Sequence, residues 1–139
     1  MAYATKANLI ARFGEEELTQ LTDRADPAMG AIDDAVLTAA MSRADALVDS
    51  YLRVRYTVPL SPVPAEVAHQ AEGIARRYLY DDGAPEGVQA LYDEAIAWLK
   101  DCQAGRVLLD AATTTAATGT GSVGGAEFAE SVNDFAEAY

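Results

Sequence analysis

With 139 residues, 22 acidic against 10 basic side chains and a formal net charge of −12, the chain predicts one acidic domain that does not bind DNA or RNA phosphates. Its single cysteine excludes an intrachain disulfide and a cysteine-rich zinc site, and no apolar run is long enough to span a membrane. The first residues lack the pattern of a signal peptide, so we expect a soluble protein made inside the cell, and its 29 alanines favour helix over strand.

Two short helices are predicted at the start of the chain. The first begins at Thr5, which can cap it, and extends to Phe13, after which Gly14 acts as a stop. The second covers about residues 15–21 and has three glutamates in its first turn, where the helix dipole favours negative charge. The following residues, 22–31, contain aspartate, proline and glycine and are predicted to form a loop.

Three longer helices follow, and they define the predicted fold class. Apolar residues recur every three or four positions from about residue 33 to 55, which is the period of a helix. Residues 56–64 contain three prolines and form a stiff connector instead. Two further helices are expected over residues 64–82 and 86–105, with a short extended piece at 106–109. The sequence therefore predicts an all-α protein, a small helical bundle of three main and two short N-terminal helices, followed by an extended C-terminal arm.

The composition changes after Asp110. Residues 111–125 are a low-complexity run of alanine, threonine, glycine and serine, and no basic residue follows Arg106. A narrow apolar stripe then appears at helical spacing, formed by Phe128, Val132, Phe135 and Tyr139. An isolated helix of this length is marginal in water, so the stripe is expected to dock, either on another protein or back on the parent domain. We therefore divide the chain into a helical domain, 1–109, and a linker with a docking arm, 110–139.

Groups able to support catalysis or to bind a metal are sparse. His69 has Glu66 and Glu72 three residues to either side, but a metal site needs three or four ligands and no further histidine exists. We interpret His69 as a partly exposed structural residue. Cys102 follows Asp101, whose charge raises the pKa of a thiol, and we interpret it as a small buried residue.

The remaining charged clusters also have structural interpretations. The loop 23–33 does not place oxygen ligands or a glutamate at the positions that an EF-hand requires, so Asp33 and Asp34 are interpreted as helix caps. The pairs Arg53 with Arg55 and Arg76 with Arg77 are predicted to pair with acidic residues in the domain or on a neighbouring subunit. We therefore assign no catalytic, cofactor-binding or metal-binding residue and no cofactor, which leaves interaction as the function class.

Several motifs occur in an order that resembles a known family. They are Leu-Ile-Ala-Arg-Phe-Gly-Glu-Glu-Glu-Leu at 9–18, Ile-Asp-Asp-Ala-Val at 32–36, Asp-Ser-Tyr-Leu-Arg-Val-Arg-Tyr-Thr-Val-Pro-Leu at 49–60, Ile-Ala-Arg-Arg-Tyr-Leu-Tyr-Asp-Asp at 74–82 and Tyr-Asp-Glu-Ala-Ile-Ala-Trp-Leu at 92–99. Residues 1–109 thereby resemble the Mu-like bacteriophage head–tail connector (adaptor) family, formerly described as a phage domain of unknown function.

This resemblance implies a structural protein of the virion and not an enzyme. Such an adaptor is assembled in the host cytoplasm and lies at the head–tail junction, between the portal protein and the next tail component, a stopper or tail terminator. It forms a homo-oligomeric ring, usually a dodecamer, around a channel through which DNA passes without specific binding, and no membrane is involved. A negatively charged channel would repel DNA phosphates and let the genome slide. The arm stripe would then dock on the portal or on a neighbouring subunit.

Two other functions remain open at this point. The first is a small acidic helical regulatory protein that binds a basic partner, which predicts a monomer or dimer absent from virions. The second is an enzyme, which would require that His69 and its flanking glutamates line a pocket.

Overall fold

The computed structural model describes residues 3–113, and five helices account for most of them. The all-α class predicted from the sequence is confirmed, since the described residues contain no strand beyond a single isolated bridge between Tyr56 and Thr113. None of the helices in this range is both long and apolar enough to cross a membrane. In chain order the helices are α1 (Lys6–Phe13), α2 (Glu15–Thr22), α3 (Asp34–Leu52), α4 (Ala65–Tyr78) and α5 (Glu86–Ala104).

The predicted helix boundaries hold at the N-terminal caps. The hydroxyl of Thr5 accepts a hydrogen bond from the N–H of Asn8 at 3.2 Å, which caps α1. Gly14 separates α1 from α2 with a φ of 96°, a value in the region that favours glycine. The carboxylate of Asp33 accepts from the N–H of Ala35 at 3.0 Å and so caps α3.

The C-terminal ends of two helices were predicted a few residues too far along the chain. Helix α3 ends at Leu52 and not near Arg55, because the carbonyl of Leu52 accepts from the N–H groups of both Arg55 and Tyr56, at 3.0 and 2.8 Å, which closes a turn. Helix α4 ends at Tyr78 and not near residue 82. There the guanidinium of Arg24 donates a hydrogen bond of 2.9 Å to the carbonyl of the next residue, Leu79.

The core consists of two hydrophobic clusters. Helices α3, α4 and α5 pack against one another around the larger cluster, which includes Val48, Ile74 and Leu99, all fully buried. Helices α1 and α2 pack on the N-terminal half of α3 through a smaller cluster of five buried residues, Leu9, Leu18, Leu37, Ala40 and Leu79. Each leucine buried in this way contributes about 1.5–3 kcal/mol, so the smaller cluster stabilises the packing of the two short helices on α3.

A buried tyrosine fixes the start of the chain. Tyr3 is 2% exposed, and its hydroxyl donates to the carboxylate of Asp49 on α3 and accepts from the N–H of Leu60 at 2.9 Å. Its own N–H donates to Asp45 at 3.1 Å. Burial raises the pKa of Asp45 above its ordinary value, against the opposing effect of hydrogen bonds from the N–H groups of Tyr3 and Ala4. The N-terminal residues thereby connect α3 to the proline-rich connector.

The described chain ends alongside the same connector. The hydroxyl of Tyr56 accepts from the N–H of Leu109 at 2.9 Å, and the N–H of Thr57 donates to the carbonyl of Ala112 at 2.8 Å. The first residues of the predicted arm, 110–113, are thus paired with the domain. The apolar stripe of the arm, which consists of Phe128, Val132, Phe135 and Tyr139, lies outside the described residues.

Candidate interaction surface

The only histidine is part of a contact between α1 and α4. Arg12 donates to the carbonyl of His69 at 2.9 Å, and its second terminal nitrogen lies 3.2 Å from Nε2 of the exposed imidazole. The same guanidinium forms an ion pair of 3.0 Å with Glu72, which is only 7% exposed. One of the two glutamates that flank His69 is therefore neutralised by a structural partner. The structure gives no group of three metal-ligating side chains within residues 3–113.

The cysteine occupies the position predicted for it. Cys102 is fully buried in the larger cluster near the end of α5. Burial, followed by the negative charges of Asp101 and Glu66, raises the pKa of its thiol to about 11. Burial and the raised pKa both favour the neutral thiol at neutral pH, which is consistent with a small buried side chain.

The two arginine pairs singled out in the sequence have different surroundings. Arg76 pairs with Glu17 at 2.7 Å, which confirms the prediction of an acidic partner. For the other three, the predicted acidic partner within the domain is wrong as far as the structure describes the chain. Arg77 donates to the amide oxygen of Gln89 at 2.7 Å, whereas Arg53 and Arg55 donate to backbone carbonyls at the ends of α3 and α5. Pairing on a neighbouring subunit stays a prediction.

Three arginines, one of which is Arg77, also line a concave surface of the domain. Two adjoining cavities, of about 390 and 340 Å³, lie where the N-terminal half of α3 meets the end of α4 and the start of α5. Arg43 and Tyr78 line both of them, and we call the two adjoining cavities together the arginine groove. Arg24 lines the first cavity and Arg77 the second.

The arginines of the groove are held by specific contacts. The guanidinium carbon of Arg43 lies 4.0 Å from the centroid of the Tyr78 ring, a cation–π arrangement. Tyr78 packs in turn on Tyr92, with ring centroids 5.9 Å apart, and burial together with a hydrogen bond to Tyr92 raises the pKa of Tyr78 to about 12. Arg24 is fixed between the carbonyl of Leu79 and the carboxylate of Asp81, the latter at 3.3 Å.

The lining of the groove combines apolar and positively charged side chains. The apolar ones are small or aliphatic, namely Ala35, Val36, Ala39, Ala40 and Leu79. Three arginines line it against the single carboxylate of Asp81, on a chain whose net charge is −12. Such a surface suits a ligand that is apolar on one side and acidic on the other.

Sequence reasoning missed this groove. Arg24 belongs to a loop, Arg43 to the hydrophilic side of a helix, and Arg77 to a pair assigned to ion pairing. These positions are 19 and 34 residues apart, and no local pattern links them. Only the packing of α3 against α4 brings them together.

The chain is similar to proteins of Mu-like phages. The model of the family described as "Bacteriophage Mu, Gp36" matches residues 3–126. This chain belongs to that family. It is 35% identical over 121 residues to "Gene product J" of Escherichia phage Mu, covering 87% of this chain and 85% of the relative. It is also 31% identical over 107 residues to "Mu-like prophage FluMu protein gp36" of Haemophilus influenzae, covering 77% and 74%.

The resemblance to a Mu-like phage family is therefore confirmed, with one difference in extent. The motifs in the sequence covered residues 1–109, whereas the family match continues to residue 126. The pairing of residues 109–113 with Tyr56 and Thr57 agrees with this larger extent, because it makes the chain after Leu109 part of the folded unit.

Proposed function

We propose that this protein is the head–tail connector of a Mu-like phage, a structural and non-enzymatic component of the virion. The observation that carries the proposal is membership of a Mu phage family over residues 3–126, nearly the whole chain. Its partners are the portal protein on one side and the next tail component, a stopper or tail terminator, on the other.

The fold supports this role through its construction. The short N-terminal helices, the proline-rich connector and the end of the described chain are all joined to the three-helix bundle by buried contacts. A subunit of this kind can bear contacts on several sides without changing shape. Copies packed head to tail through such contacts close into a ring, and a dodecamer is the form that we propose.

The charge of the chain supports passage of DNA without binding. The exposed face of α5 carries three carboxylates, those of Glu86, Asp93 and Glu94, and one cation, Lys100. A channel lined with such groups repels phosphates, so the genome slides through it. We assign this face of α5 to the channel.

The connector role is tested by a phage that carries an early stop codon in this gene, with the wild-type gene supplied from a plasmid as the control. Electron microscopy of lysates should show filled heads without tails beside free tails, and the plasmid should restore complete particles. Complete particles without the plasmid would overturn the proposal.

A second measurement separates the connector from a regulatory protein. Purified virions should contain the protein at a fixed ratio to the portal, as measured by quantitative mass spectrometry. Its absence from intact virions would contradict the proposal and leave the acidic regulatory protein as the better explanation.

A further inference from the structure

We propose that the acidic C-terminal segment of this chain, residues 127–139, docks in the arginine groove of the same subunit. The inference goes beyond the connector role and does not depend on it. It rests on the geometry of the groove, on the chemistry of the segment and on the length of chain that joins them.

The groove has the form of a docking site for an amphipathic helix. The first cavity, of about 390 Å³, is large enough for aromatic anchors but not for a whole helix, so a helix would lie across it. Its apolar lining includes the exposed side chains of Ala35 and Ala39 and the partly exposed side chain of Val36. The side chains of Arg24 and Arg43 line the same cavity.

The segment carries the complementary chemistry. Its apolar stripe contains three aromatic residues, Phe128, Phe135 and Tyr139, which are the residue types that dominate anchor positions. The segment also carries four carboxylates, of Glu127, Glu130, Asp134 and Glu137, and no basic residue. On a chain with a net charge of −12, the arginine groove brings together Arg24, Arg43 and Arg77, of which Arg24 already pairs with Asp81, and so it offers these carboxylates a net positive surface.

The linker is long enough for docking within one subunit. The described chain ends at Thr113, which is paired with Tyr56 just beyond the C-terminal end of α3. From Leu52 back to Ala39, which lines the groove, α3 measures about 20 Å. Residues 114–126 can span about 43–47 Å when extended. Because the tether also gives the segment a millimolar effective concentration, docking on its own subunit is favoured over docking on a separate copy.

The test uses cysteine cross-linking in the full chain. Ala136→Cys places a thiol beside the apolar stripe, and Ala39→Cys places a second at the groove. Native Cys102 is fully buried and does not compete. A short bismaleimide is added to the purified protein, and intrachain and interchain products are separated by denaturing electrophoresis and identified by mass spectrometry.

The matched control is Ala46→Cys combined with Ala136→Cys. Ala46 is exposed, as Ala39 is, and lies two turns further along the same face of α3, outside the groove. It is also closer to Tyr56 and so to the start of the tether. If the segment is not docked, the thiol of Ala136→Cys is therefore cross-linked to Ala46→Cys at least as fast as to Ala39→Cys.

Docking predicts that the intrachain product forms with Ala39→Cys about fivefold faster or more than with the control. Adding Arg43→Glu should remove this preference, and Asp134→Arg in the same chain should restore it. Arg53→Glu, which reverses the charge of an exposed arginine outside the groove, should leave the preference unchanged.

Two results would overturn the proposal. Equal rates with Ala39→Cys and Ala46→Cys would mean that the segment does not occupy the groove. Exclusively interchain product would mean that the groove receives the segment of a second copy. Because the purified protein is used without phage, either result leaves the head–tail connector proposal to be decided by the lysate experiment.

Discussion

The hydroxyl of Tyr56 accepts a hydrogen bond from the backbone N–H of Leu109 at 2.9 Å, although 53 residues separate them. Both residues are buried, at 3% and 8% exposure. This bond joins the start of the proline-rich connector to the segment that follows α5.

Tyr56→Phe should destabilise the protein. The change keeps the ring but leaves the buried N–H of Leu109 without its acceptor, a loss of about 1–3 kcal/mol in the free energy of unfolding. Urea unfolding followed by circular dichroism measures it. Tyr80→Phe is the control, because the hydroxyl of Tyr80 makes no hydrogen bond within the described residues. Equal stabilities of the two variants would contradict this account.

A matched pair of glycine substitutions should have opposite effects. Gly105 ends α5 with a φ of 86°, and a Cβ there would lie 2.7 Å from a guanidinium nitrogen of Arg55, which caps the helix. Gly105→Ala should therefore destabilise the protein by about 1–2 kcal/mol. Gly87, also on α5, has open space around it, and Gly87→Ala should stabilise by about 0.4–1 kcal/mol. Thermal unfolding of both variants provides the comparison, and a change in stability of the same sign in both would refute the prediction.

The ion pair between Arg12 and Glu72 should show strong coupling. Arg12→Met leaves a carboxylate that is nearly buried without its cation, and because the pair retains some exposure we expect about 3 kcal/mol, the low end for a buried pair. The double variant Arg12→Met with Glu72→Met should recover most of that loss. A double-mutant cycle in urea measures the coupling. If the losses in the free energy of unfolding are additive, the two side chains do not stabilise each other.

Stability should fall in alkali. The pKa of Cys102 is raised from 9.0 to about 11 and that of Tyr78 from 10.0 to about 12, in both cases chiefly by burial. The unfolded chain therefore loses these protons first, so the free energy of unfolding decreases as the pH rises above about 9. Urea unfolding between pH 7.5 and 11 should show this decline. The variant Cys102→Ala with Tyr78→Phe should have a shallower slope, and an unchanged slope would assign the effect to other groups.

The sequence was sufficient for the helices and insufficient for the contacts between them. Apolar periodicity and capping residues such as Thr5 and Asp33 are local signals, and from such signals the five helices were predicted, although the ends of α3 and α4 were placed too far along the chain. At the end of α4, the carbonyl of Leu79 accepts a hydrogen bond from Arg24, which lies in a loop 55 residues earlier in the chain. Helix propensity and the spacing of apolar residues contain no information on a partner so distant in the sequence.

The candidate site illustrates the same limit. The sequence showed that four arginines occur in two close pairs, but only packing brings Glu17 near Arg76 and the carbonyls of α5 near Arg55. The arginine groove combines residues from a loop, α3 and α4, and its cation–π contact between Arg43 and Tyr78 exists only in the folded chain. The apolar stripe at the C-terminus was visible in the sequence because its spacing is local.

The division of the core into two clusters determines what a fluorescence experiment can detect. Trp98, the only tryptophan, packs against the larger cluster, and the smaller cluster around Leu9 and Leu18 has no tryptophan. Met41 and Tyr78 pack against both clusters. Tryptophan emission therefore reports melting of the three-helix bundle alone, whereas far-ultraviolet dichroism also senses α1 and α2. The interval between the two transition midpoints measures how tightly these shared side chains couple the clusters into one cooperative unit.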